Sequence, residues 1–132
     1  MKPILKRLTW LACLFLPLGA AAANPIQDSY RAAAKLENPA FKDFSAEAGR
    51  RLYTSKKSDL MCASCHTDSP MNEGKHVKTN KPILPMAPSG NPKRLTDAAK
   101  VEKRFKRNCN DVLKRDCSAQ EKGDFMAYLL SK

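Results

Sequence analysis

Two thiols and an imidazole stand within five residues at Cys62-Ala63-Ser64-Cys65-His66, the spacing C-x-x-C-H. One turn of helix presents all three groups. The sulfurs are then placed to add to the two vinyl groups of a haem as thioethers, and the adjacent imidazole to ligate the iron from the proximal side. A thioredoxin-type dithiol needs no following histidine, and half of a zinc site needs partners at ligand spacing. A thiol–disulfide oxidoreductase also needs a strand pattern, and this chain has few β-branched alternations from which to build one. The motif predicts one haem c, covalently attached through Cys62 and Cys65, with His66 on the iron.

The second axial position separates electron transfer from ligand binding. Three residues compete for it. Met86, flanked by prolines in Pro85-Met86-Ala87-Pro88, is the thioether choice of an electron-transfer cytochrome. Asn108 is an amide beside an apolar stripe, so it must find a partner or bear a desolvation cost. His76 follows Gly74-Lys75 and reads as a solvated loop histidine. On the residues alone Met86 leads and the other two stay open. On the proximal side His66 should donate its free ring N–H to a carbonyl, with Pro82 as an acceptor. Arg94, Arg104 and Arg107 are bidentate donors of the kind that haem propionates take.

These groups need helices to position them. Pro25 suits a first helical turn, and Ile26 to Leu36 reads as a short peripheral helix stopping near Asn38-Pro39. Ser45 is an N-cap for a second helix, in which Gly49 and Tyr53 give a notch and an aromatic knob on one face. After the haem motif, residues 67–92 form a loop punctuated by five prolines. Helix resumes with Thr96 as N-cap and runs from Asp97 toward Arg115, with Val101, Phe105, Cys109 and Val112 as its apolar stripe. Ser118-Ala119-Gln120-Glu121 is a capping box for a last helix, whose Gly123, Phe125, Tyr128 and Leu129 are expected to cross the Gly49/Tyr53 face. The expectation is a single all-α domain.

Residues 1–23 combine Lys2, Lys6 and Arg7 with an apolar run from Leu8 to Leu18 and the small-residue exit Ala21-Ala22-Ala23. This predicts a cleaved secretory signal, a periplasmic mature chain of residues 24–132, and no membrane span within it. A domain of that size buries about two thirds of its unfolded surface. Cys13 leaves with the signal and two cysteines take haem. Cys109 and Cys117 then remain in an oxidising compartment, where a disulfide is the economical reading and two buried free thiols the alternative. The mature chain keeps 21 basic residues against 13 acidic, a net charge of +8. That balance suits an acidic redox partner, or solvated helix faces, and no aromatic interleaving supports nucleic acid.

The early helix with Gly49 and Tyr53, the C-A-S-C-H motif, the proline-rich loop and a last helix bearing Tyr128-Leu129 resemble the class I cytochrome c fold, wrapped around one covalent haem. Pro85-Met86-Ala87-Pro88, Asn91-Pro92-Lys93-Arg94-Leu95, Arg107-Asn108-Cys109 and Glu121-Lys122-Gly123-Asp124-Phe125 are, within that group, similar to the sphaeroides haem protein family, formerly a domain of unknown function. The resemblance implies a distal asparagine ligand, falling on Asn108, and a disulfide between Cys109 and Cys117. It further implies a high-spin reduced form that dioxygen and nitric oxide reach once the asparagine leaves, and a dihaem cytochrome c as electron donor. Reduction of dioxygen is the reaction it leaves open. The alternative is a low-spin electron carrier with Met86 on the iron.

Overall fold

The computed structural model describes residues 23–132. The expected signal segment, with Cys13, lies outside the described residues but for Ala23. Helix α1, Pro25–Glu37, starts where the Asn24 side chain accepts the N–H groups of Ile26 and Gln27. Helix α2, Ala46–Thr54, starts at Ser45, whose hydroxyl accepts the Ala48 N–H. Side-chain acceptors at these positions satisfy donors that the helix itself leaves unpaired. The attachment turn is α3, Cys62–His66. Two short strands follow, β1 Gly74–Lys75 and β2 Pro82–Ile83, paired antiparallel with Gly74 opposite Ile83. Helix α4 covers Ala98–Leu113 and α5 covers Ala119–Leu130.

The α2–α5 crossing is the centre of the molecule. A Cβ on Gly49 would fall 2.0 Å from the backbone oxygen of Asp124 and 2.9 Å from the Tyr128 Cβ, so the two backbones touch there. Only glycine permits that approach. Below the notch Tyr53 is fully buried, with its ring against Phe125 and Tyr128 at centroid distances of 6.1 and 5.4 Å. Gly123, expected at the same contact, instead receives the ring of Phe44. Asp124, one residue on, is buried and accepts the Ser45 N–H at 2.7 Å, tying the start of α2 to α5.

Two expectations about the flanking helices change. Helix α1 is not peripheral: Tyr30 is buried with Val101 and Met126, and Ala34 with Phe41 and Ala119. Its polar residues also reach inward, Asn24 to the Leu95 carbonyl and Gln27 to that of Gly123. The N-cap of α4 is Asp97, whose carboxylate accepts the Lys100 N–H, while the Thr96 hydroxyl donates to the Lys93 carbonyl. A carboxylate near the helix N-terminus also complements the macrodipole. The helix stops at Lys114 in the left-handed conformation, before Arg115. The capping box at Ser118 and Glu121 is present as expected.

Candidate haem site

Five residues are too few to hold a helix alone, so the surroundings must fix α3. Ser64 does part of this locally, its hydroxyl accepting the Met61 N–H and its own N–H bonding the Met61 carbonyl. Ala63 is buried in the cluster of Tyr53, Phe125, Tyr128 and Leu129. The end of the turn is gripped from two sides. The Tyr53 hydroxyl lies 2.6 Å from the Thr67 carbonyl and 3.0 Å from that of His66, and burial raises its pKa, keeping the donor protonated. On the other side, strand β1 lies so close that a Cβ on Gly74 would sit 2.1 Å from the Cys65 oxygen and 2.9 Å from the His66 Cα. Thr67 leaves the turn at φ 62 and ψ 177. A β-branched residue in this glycine-like region carries roughly 1–3 kcal/mol of strain.

Cys62 and Cys65 are half-buried free thiols on this turn. Burial pushes the Cys62 thiol up to about 11, the reverse of an activated redox cysteine. Among the described residues no group of three or more potential ligands completes a zinc site around them. Burial, with the positive charges of Arg94 and Arg104, holds His66 down to about 4, so its imidazole is neutral and able to ligate. Beside the thiols, Leu52, Met61, Met86, Leu95 and Phe105 form a half-buried apolar wall on the core cluster. A flat apolar macrocycle tethered by the two sulfurs fits that wall, and a neutral imidazole at its attachment turn fits the iron.

The three competitors for the second axial position stand differently. Asn108 is half-buried on α4, one turn beyond Phe105, whose ring meets Phe125 edge-on at 5.8 Å. Its only side-chain hydrogen bond among the described residues is a long one, 3.4 Å from the neighbouring Arg107 Nε to its Oδ1. The next residue, Cys109, is joined to Cys117 with the Cα atoms 5.7 Å apart. Met86 is also half-buried, on a loop anchored by the Met86 and Ala87 N–H groups, both donating to the Pro70 carbonyl. His76 is committed elsewhere: its Nδ1 accepts the N–H groups of Lys78 and Thr79 within its own turn.

Among the arginines, Arg94 and Arg104 are close enough to act on His66. Arg94 is already engaged, clamping the Pro85 and Leu84 carbonyls at 2.7 Å each. The expected acceptor for His66, Pro82, pairs with Lys75 in β2, and no hydrogen bond joins the imidazole to its carbonyl among the described residues. Sequence reasoning missed the Tyr53 hydroxyl, Gly74 and the Arg94 clamp. Gly74 had one signal, a lone glycine after the motif, yet its contact lies across a loop.

A family model described as a domain of unknown function, DUF1924, matches residues 39–129. Cytochrome c'' of Methylophilus methylotrophus is 43% identical over 113 residues, covering 86% of this chain and 72% of that protein. Its solution structure, which concerns haem-ligand detachment, superimposes with a TM-score of 0.71 at 41% identity, over 81% of this chain and 90% of that one. Cytochrome c-type protein SHP of Cereibacter sphaeroides is 39% identical over 127 residues, covering 89% of this chain and 98% of that protein. Oxidised SHP, described as an oxygen binding cytochrome c, superimposes with a TM-score of 0.73 at 38% identity, over 81% and 94% of the two chains.

Proposed function

The chain belongs to the sphaeroides haem protein family and is a monohaem c-type cytochrome with covalent haem; on that premise we propose that Asn108 is the distal ligand of the oxidised protein and departs on reduction. Cys62 and Cys65 carry the haem and His66 is the proximal ligand. The haem supplies an iron that exchanges one electron and accepts a small ligand. The protein decides when that ligand is admitted. A neutral amide oxygen is a hard donor, matched to ferric rather than ferrous iron, so an arriving electron loosens it. The released side chain stays beside the site, where its N–H groups can donate to an incoming diatomic molecule, dioxygen or nitric oxide. The link from Cys109 to Cys117 restrains the adjoining chain, so the motion is that of a side chain rather than of the helix end.

The observation that carries this reading is the state of Asn108: a half-buried amide on the helix that walls the site, bonded among the described residues only to its neighbour at 3.4 Å. Oxygen binding in SHP and ligand detachment in cytochrome c'' support extending it to this chain. The electron donor is a redox protein, a dihaem cytochrome c in the family's pattern, and the site of action is the periplasm. A second reading, a low-spin carrier with Met86 on the iron, has the packing of Met86 on the Ala63 cluster in its favour.

Carbon monoxide added to the reduced protein separates the two. Rapid conversion of a high-spin spectrum to a ligand complex supports Asn108, and an unchanged low-spin spectrum supports Met86. Asn108→Ala should keep the haem attached and alter the ferric spectrum, while Met86→Ala leaves it nearly as it was. The reverse pattern assigns the position to Met86.

A further inference from the structure

We propose that the Tyr53 hydroxyl positions His66, by holding the His66–Thr67 backbone in a conformation it would otherwise leave. Packing at the α2–α5 crossing asks only for an aromatic ring, and phenylalanine would serve against Phe125 and Tyr128. The hydroxyl goes further. From a fully buried ring it reaches the carbonyls of His66 and Thr67 at 3.0 and 2.6 Å, 13 and 14 residues along the chain. At the same point Thr67 adopts φ 62 and ψ 177, a strained conformation that its own hydroxyl braces through Ser69, donating to that carbonyl at 3.0 Å and accepting that N–H at 3.3 Å, and that the Tyr53 hydroxyl holds from outside the loop. Gly74 blocks retreat on the far side, packed against the Cys65 oxygen and the His66 Cα. The residue that carries the imidazole is thus set between a phenol on α2 and strand β1.

Without the hydroxyl, two carbonyls lose their donor and Thr67 relaxes toward negative φ. The peptide following His66 then turns, and the imidazole plane turns with it. Glycine at position 67 has no such reason to relax, because the observed conformation costs it nothing. Tyr53→Phe should therefore be rescued by Thr67→Gly. The inference rests on His66 as proximal ligand, which holds under both distal readings.

The test uses three holoproteins, Tyr53→Phe, Thr67→Gly and the double variant. Proton NMR of the oxidised state reads the haem methyl pattern, which moves when the axial imidazole turns while the sixth ligand stays the same, alongside the thermal midpoint. Tyr53→Phe should displace the methyl resonances well beyond their linewidths and lower the midpoint. Thr67→Gly should leave the pattern as in the wild type, and the double variant should return the pattern to wild type. An unchanged pattern in Tyr53→Phe, or a double variant that matches it, overturns the proposal. Should Tyr53→Phe not accumulate as holoprotein, recovery by Thr67→Gly supports the proposal and failure to recover overturns it. The wild-type spectrum checks the His66 assignment separately, before any variant is made.

Discussion

Asp124 shows how one side chain sets a pH response. Its carboxylate is buried at the helix crossing, and burial raises its pKa from the ordinary aspartate value, although the Ser45 N–H and the Arg51 charge pull the other way. A carboxyl whose folded pKa exceeds its unfolded one stabilises the fold most below the unfolded value and loses that contribution as pH rises through the folded value. Asn at this position keeps the acceptor for Ser45 and cannot titrate. The urea midpoint of the wild type relative to Asp124→Asn should accordingly fall as pH rises past the unfolded aspartate value of about 3.9; parallel curves for the two proteins would refute the assignment. Individual residues differ in how far the sequence betrays them. Cys62, Cys65 and His66 are readable because their spacing is itself the chemistry. Asn108 is not, since its periodicity shows only an amide near an apolar stripe, and motif resemblance had to single it out. The Tyr53 hydroxyl was invisible because its partners lie across an intervening loop.

Helix starts were legible because a cap is local. Ser45 and Ser118 each bond an N–H three residues away. The α4 start moved by one residue because two capping side chains, Thr96 and Asp97, stand side by side, and the carboxylate is the stronger acceptor for a helix N-terminus. Helix α1 was misjudged for the opposite reason: its inward face is set by distant residues such as Val101 and Met126, and a short helix with three alanines before Lys35 shows little of that pattern. The two crossing glycines make a quantitative contrast. Gly49 faces the backbone of Asp124, which cannot move aside, whereas Gly123 faces the ring of Phe44, which can. Gly49→Ala should cost upwards of about 3 kcal/mol and Gly123→Ala about 1–2 kcal/mol in chemical denaturation. Equal costs would mean that α2 and α5 slide to accommodate either methyl group.

Charge acts over the whole molecule. Lys103, Arg104, Lys106 and Arg107 lie on α4, the helix that bears Asn108, and none of them enters an ion pair among the described residues. With a net charge of +8 over residues 24–132, reduction by an acidic redox protein should slow about tenfold between 10 and 150 mM salt, as screening shortens the reach of that field. Stopped-flow reduction at several ionic strengths measures it, and a flat profile removes charge from the docking step. The Gly49–Asp124 contact bears on a different question, the order of events during biogenesis. It joins the second helix to the last, so the crossing closes only once the chain is present through α5. Until then the attachment turn lacks the Phe125, Tyr128 and Leu129 side chains that Ala63 packs against, and a turn of five residues does not hold alone, so the two thiols gain their fixed spacing late, together with the last helix.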